Sequence, residues 1–482
     1  MTRVAIALAL TALVVASFVA RWHVLADTPW PVGVDGFFYP LQVRSLLEHG
    51  SLAYPASPLT FWWMTPFAAA TDPIVGAKLG AALGGALVAV PAYAVGARLG
   101  RSWAAGLVAA ALAAGSAGSA YLSIEFVKQG IGVTVGLTAL WLVLRALEAP
   151  TPRRAAAALA GIAATLLAHK LAALLVVVVA AHAALYEART RLRGRRLIYA
   201  YVAAAAAVLL LVGLGLAMPQ RFVSGTDVAL VGHAFTRHAQ WADPALATHG
   251  FTLHMEYEAL LACIVSLAAA VLAYRRRDVV ALAIAALGIV LAIPWLDVTD
   301  PQGLAFRARV IAFVPLALSA AVVAGALVCR HKVVPVALCV LAALLGLRAL
   351  RERRDGIIVA HPAMVAAVLA ATDQLPHGAT AIVPERHIAF MLAYLDRADV
   401  SLRPERVPYA HRVRVMPLAF MSEELQQALD AARADPTVAA PPIGLHPRHR
   451  NGLVLVEEPT WDWLLARLPG PLRRHYARWP TI

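Results

Sequence analysis

Charge is scarce in this 482-residue chain: Asp, Glu, Lys and Arg supply 15% of positions, 61% are apolar, and the mean hydropathy is +0.70. Soluble globular chains run near about 45–50% apolar and about 25% charged, so that class is excluded. Lysine is scarcer still, confined to Lys78, Lys128, Lys170 and Lys332; arginine carries the other positive charges, a bias we read as base composition of the source genome. The three cysteines, Cys263, Cys329 and Cys339, all fall in apolar runs, where a thiol behaves as a small hydrophobe. They form neither a disulfide framework nor a CxxC metal pair. With 31 Gly and 30 Pro, near ordinary usage, the chain is neither collagen-like nor disordered. No internal repeat or low-complexity linker stands out.

The net charge of +14 first suggests nucleic acid, but its distribution excludes that partner. Residues 351–482 hold 16 Lys+Arg against 14 Asp+Glu, a net of +2, which leaves +12 on residues 1–350. There the charges sit in short bursts between apolar runs, the pattern of a multispanning membrane protein. Runs long enough for about 30 Å of hydrocarbon recur at 4–21, 74–97, 103–121, 130–147, 155–168, 171–187, 197–217, 257–274, 278–296, 307–329 and 333–350. The expected fold is therefore an α-helical polytopic membrane protein of about 11 transmembrane helices. The first run, preceded by Arg3 and followed by Val24-Leu25-Ala26, has features of a secretory signal; we read it as a retained anchor because many spans follow.

Loop charges set the orientation. With the N-terminus inside, inner loops carry Arg98 and Arg101, Arg153 and Arg154, Arg189 through Arg196, Arg275 to Arg277, and Arg330 with Lys332. Outer loops carry only Arg44, Lys128, Lys170, Arg221 and Arg237, as the positive-inside rule requires. Residues 351–482 then lie outside, although Arg351, Arg353 and Arg354 pull the other way. Their short apolar runs, Ala379–Val383 and Leu453–Val456, alternate with helical patterns at 362–374, 386–395 and 422–433, which predicts a small extracytoplasmic α/β domain. The expected division is thus 1–350, with outer loops at 22–73 and 218–256, and 351–482. In the first loop, Pro40, Val43, Leu46, Leu47 and the stop at Gly50 predict a short surface helix. The aromatic piece Pro58 to Thr71, ended by Asp72-Pro73, is interfacial by length and composition.

Several polar residues stand out. Asp35, in Val34-Asp35-Gly36-Phe37-Phe38-Tyr39, has two readings: a turn or helix cap, or a general base on an acceptor hydroxyl or amine. Glu125 and Lys128 mark an outer turn, as pocket residues or as partners of each other. His169-Lys170 interrupts an apolar run; it is either an interfacial hairpin or a contact to lipid phosphate and sugar. Arg307 and Arg309 open a span, as phosphate ligands or as snorkelling residues paired with Asp300. His233, His238, His249, His254 and Glu256 crowd one loop without a tight metal-ligand spacing, so a solvated loop is the better reading. His446-Pro447-Arg448-His449-Arg450 is a basic turn.

The early first-loop Asp, the surface helix ending in Gly50, Ser57-Pro58-Leu59 entering an aromatic segment, and Ala77–Leu99 closing on Arg98-Leu99-Gly100-Arg101 together resemble the GT-C glycosyltransferases. That superfamily includes protein mannosyltransferases, aminoarabinose transferases and oligosaccharyltransferases, which use sugars carried on polyprenyl phosphates. The resemblance implies that Asp35 is the catalytic residue and that a polyprenyl-phosphate-linked sugar donor and membrane lipids are the partners. The acceptor, on the outer face of a cell (inner) membrane, is not specified. By position it makes Lys170 and Arg309 phosphate clamps, with Tyr39, Glu125, Lys128, His169 and Arg307 lining the substrate site. An inverting displacement needs one base and one phosphate clamp, so a divalent metal is allowed and not required. Asp35 has no acidic neighbour, and no Trp-Trp-Asp-Tyr-Gly acceptor motif is present, Trp461-Asp462-Trp463 being no substitute. The rival reading is a transporter or flippase of a lipid-linked or anionic solute, against which stands the lack of halves with matching hydropathy. A non-catalytic assembly subunit is the third.

Overall fold

The computed structural model describes residues 3–33, 35–218, 232–235, 250–298, 304–328, 360–383, 385–395, 398–401, 404–446 and 452–477. The chain divides into two compact units, one of Met1–Asp27 with His49–Ile357, the other of Thr28–Glu48 with Ile358–Ile482. This differs from the expected boundary near residue 350, because the first-loop segment 28–48 packs with the C-terminal part of the chain.

In chain order the helices up to residue 328 are α1 (Arg3–Leu25), α2 (Phe38–His49), α3 (Leu59–Ala70), α4 (Pro73–Ala86), α5 (Ala89–Gly100), α6 (Trp103–Gly115), α7 (Ala117–Leu122), α8 (Val127–Glu148), α9 (Pro152–Ala168), α10 (Lys170–Arg191), α11 (Arg195–Ala217), α12 (Gly250–Arg276), α13 (Val279–Leu291), α14 (Leu304–Val310) and α15 (Phe313–Val328). All but α2 belong to the first unit. Among the described residues, six helical segments are long and apolar enough to cross a bilayer: Arg3–Leu25, Pro73–Gly100, Val127–Glu148, Leu197–Ala217, His254–Arg276 and Leu304–Leu327. The expected run 333–350 lies outside the described residues, as do 219–231 and 236–249 of the expected loop 218–256.

Two expected spans are kinked and a third is broken, each for a local reason. Proline clashes with the carbonyl four residues before it. Pro91 accordingly kinks the run 74–97 at Leu87-Val88, and Pro315 kinks 307–329 at Ile311-Ala312. The run 103–121 breaks at Ser116, which adopts φ −76°, ψ 150° and caps α7 by accepting from the Ser119 N–H. Pro294 likewise ends α13 at Leu291, short of the expected 296.

Small residues let the helices approach. A Cβ on Gly325 would meet the Gly100 carbonyl oxygen at 2.0 Å, so α5 and α15 touch backbone to backbone. Arg21, 2% exposed, is satisfied inside the bundle by Ser123 Oγ (2.9 Å), Ser119 Oγ (2.8 Å) and the Ala114 carbonyl (3.0 Å). A charge in that setting persists only with such acceptors arranged around it.

The second unit adds α16 (Pro362–Gln374), α17 (Arg386–Leu395), α18 (Glu423–Ala434), α19 (Glu458–Arg467) and α20 (Gly470–Ala477). Its five-stranded sheet runs in the order β2-β1-β3-β5-β4, with strands β1 (Thr380–Ile382), β2 (Val400–Ser401), β3 (Arg412–Pro417), β4 (Ile443–Leu445) and β5 (Leu453–Glu457). β1 pairs in parallel with β2 and β3, while β5 pairs antiparallel with β3 and β4. Leu425, Leu429, Val454, Val456, Trp461, Leu464 and Tyr476 fill one core. Beside it Arg414 grips Glu458 with two hydrogen bonds, 3.0 and 2.8 Å, and lies 4.9 Å over the Trp461 ring.

Candidate functional site

In the first unit the polar site grows from two helix junctions and a short helix. α9 stops at Ala168, His169 takes an extended conformation (φ −163°, ψ 124°), and α10 starts at Lys170. α8 reaches this turn because it carries glycine there: a Cβ on Gly132 would meet His169 Cβ at 2.7 Å. His169 Nδ1 is buried, with no hydrogen-bond partner among the described residues. Burial pushes the imidazole down to about 3, and the charges of Lys128, Arg307 and Lys170 act in the same direction. Four of the expected site residues therefore converge: Lys128 from the first turn of α8, Arg307 from α14, and His169 with Lys170 from the α9–α10 turn.

Aromatic packing and one amide set Arg307. Its guanidinium lies 4.9 Å over the Phe126 ring, and Phe126 packs edge-on against Tyr121 and Phe306 at 5.7 and 6.5 Å. Gln129 Nε2 donates to the Arg307 carbonyl at 3.2 Å. Glu125, 7% exposed, sits in the turn that opens α8.

Arg309 does something else. It is 2% exposed, donates to the Glu256 carboxylate, and reaches the Ile293 carbonyl at 2.7 Å. The expected partner Asp300 lies outside the described residues, as do His238 and His249. Glu256 is thus a helix-bundle residue of α12, and not part of a solvated histidine loop. Two residues on, Glu258 accepts from the Ala117 and Gly118 N–H groups at the start of α7. The sequence signal for both is a carboxylate bordering an apolar run. Among the described residues no group of three His, Cys, Asp or Glu is placed to hold a metal ion.

One turn beyond Lys170 an apolar groove opens between α8, α10, α13 and α15, lined by Val133, Leu137, Ala172, Val176, Ile284 and Val314 among others.

In the second unit, Asp35 follows a tight turn. Gly36 N–H donates to the Gly33 carbonyl and Phe38 N–H to the Asp35 carbonyl, both at 3.0 Å. A Cβ at Gly36 would meet the Gly33 and Val32 oxygens at 2.9 Å, so the residue after Asp35 must be glycine. The turn and helix start are closed by backbone groups. Among the described residues the half-buried Asp35 carboxylate makes no hydrogen bond or ion pair, so it is not serving as a helix cap. Tyr39 is buried, its ring 5.8 Å from Phe38.

The first unit thus carries a cationic turn beside an apolar groove, and the second a short α/β sheet. Two solved structures of ArnT from Cupriavidus metallidurans are similar to this chain, at TM-scores of 0.52 for the apo state and 0.56 for the form bound to undecaprenyl phosphate. Each match has 14% identity and covers 94% of this chain and 98% of that chain. At this identity the likeness is one of fold. No family profile matches the sequence, and no curated protein does. The chain has the fold of these ArnT structures, with apolar helices that fit a polytopic membrane protein.

Proposed function

We propose that the chain transfers a sugar from a polyprenyl-phosphate carrier to an acceptor at the outer face of the membrane. The observation that carries this reading is the convergence of Lys128, Lys170 and Arg307 on the half-buried His169, whose Nδ1 is out of solvent, near the end of an apolar groove. Three cations around an imidazole that stays neutral favour an anion there, and the groove below suits a hydrocarbon tail. A phosphate on a long isoprenoid has both parts. The similar ArnT structure was obtained with undecaprenyl phosphate, which supports the same ligand class here.

In this reading Asp35 accepts the proton of the acceptor hydroxyl or amine as that group attacks the anomeric carbon. The bond from that carbon to the phosphate oxygen breaks, and its electron pair leaves with the lipid phosphate, inverting the centre. Arg307 offers a planar fork and the two lysines point charges for that anion. Arg309, held by Glu256, serves as a support of α14 rather than a direct clamp. Tyr39 and Glu125 remain our candidates for contacts to sugar or acceptor.

The deciding experiment supplies purified protein, without an ion gradient, with a polyprenyl-phosphate-linked sugar and follows release of free lipid phosphate. Turnover without a gradient is expected. Gradient-dependent movement of intact donor, with no bond cleavage, would establish the transporter instead.

A further inference from the structure

We infer that Arg44 and Tyr394 are positioning residues for Asp35, so that helix α17 of the C-terminal unit sets the geometry of the catalytic base. This rests on the reading of Asp35 as that base. The segment 28–48 belongs to the same compact unit as α17, though about 350 residues separate them in the chain. Phe37, 3% exposed and two residues after Asp35, has its ring 5.7 Å from that of Tyr394. Phe38 stands 5.0 Å from Phe390, one turn earlier on α17.

Arg44, two turns along α2, closes the arrangement. Its two terminal nitrogens donate to the carbonyls of Tyr394 and Ala393 (2.9 Å for Ala393), and its guanidinium sits 4.5 Å over the Tyr394 ring. These carbonyls lie in the last turn of α17, where helical acceptors have no partner further along the helix and where positive charge is favoured. The planar fork of Arg meets two successive carbonyls at once; an ammonium cannot.

The carboxylate of Asp35 makes no bond of its own among the described residues. Its position is inherited from a backbone that is held on its C-terminal side by Phe37, Phe38 and Arg44. Loosening these contacts by an ångström would misplace the base while leaving the Lys128, Lys170 and Arg307 cluster as it is. A misplacement of that size costs on the order of a hundredfold in rate.

The test uses full-length protein in lipid nanodiscs, with a polyprenyl-phosphate-linked sugar as donor. Arg44→Ala and Tyr394→Leu should lower kcat at least about tenfold while KM for the donor stays within about twofold. Arg44→Lys keeps the charge without the fork and should show the same loss as Arg44→Ala. Combined with Asp35→Asn, Arg44→Ala should remove nothing more. Parental kcat in Arg44→Ala and Tyr394→Leu, or a fall in kcat matched by a rise in donor KM, would overturn the proposal. So would a further loss of equal size in the Asp35→Asn background. Arg44→Gln substitutes if Arg44→Ala does not insert. Should Asp35→Asn itself turn over at the parental rate, the reading of Asp35 fails, and this is distinguishable from failure of the positioning claim, in which Asp35→Asn is slow and the other variants are not.

Discussion

Asp35 and His169 show how differently two polar residues can be readied for chemistry. Asp35 is spared the capping role its sequence context suggests, since backbone groups close the turn around it. Asparagine preserves size and turn preference, so Asp35→Asn should insert and bind lipid phosphate normally. Its kcat should fall at least about a hundredfold, within the range that general-base catalysis contributes, as measured by steady-state release of lipid phosphate. His169 is half-buried with its Nδ1 out of solvent, and desolvation pushes it down to about 3 from its ordinary value. Unfolded histidine titrates near about 6.5, so between that pH and about 3 the unfolded chain binds the extra proton and stability falls as pH falls. Thermal unfolding in detergent should show this acid-side loss, and His169→Gln should flatten it. Lys170→Ala or Arg307→Ala should weaken lipid-phosphate binding by about tenfold or more, since each removes a charge-assisted contact of about 1.5–3 kcal/mol, measurable by titration calorimetry.

At the scale of elements, proline and glycine decide where helices stop and where they touch. Pro91 and Pro315 kink spans that hydropathy draws as straight, and the second kink, at Ile311-Ala312, places a wall residue of the apolar groove. Gly132 is the reason α8 can lie against the α9–α10 turn. The Glu256–Arg309 pair ties α12 to α14, each side chain 1% exposed. Removing one partner of such a pair leaves the other charge buried, at about 3–5 kcal/mol. Glu256→Ala should therefore lower the unfolding temperature markedly, whereas Glu148→Ala, at the exposed pair with Arg98, should change it little.

The whole molecule separates a membrane bundle from a unit that owns both the α/β sheet and the first-loop segment 28–48. A fragment of residues 356–482 lacks the aromatic partners of Phe390 and Tyr394. We predict that a peptide of residues 28–48 raises the unfolding temperature of that fragment, followed by circular dichroism; absence of any effect would show that the segment contributes nothing to its stability. Orientation has its own check. A cysteine at the exposed Ser51 should react with an impermeant maleimide in intact cells, and one at the exposed Arg193 should not, following the loop charges.

Much of this architecture is local and is legible in the order of the residues. An apolar run of about twenty residues meets its solvent requirement by itself, and a helix satisfies its own backbone groups. For that reason α8, α11 and α12 lie where hydropathy places them, and α16 and α17 coincide with the patterns at 362–374 and 386–395. Capping is local too: Asp72 before Pro73 accepts from the Ile74 and Val75 N–H groups at 2.8 and 3.0 Å. The pairings that close only when distant segments pack have no such local signal. Nothing in the neighbourhood of Arg309 names Glu256, and nothing near Arg44 names Tyr394. Lys128, His169 and Arg307 each have a defensible local role, as turn, hairpin and snorkelling residues. Their convergence depends on two helix junctions and the short helix α14 meeting through small residues such as Gly132, and that is decided by packing in three dimensions.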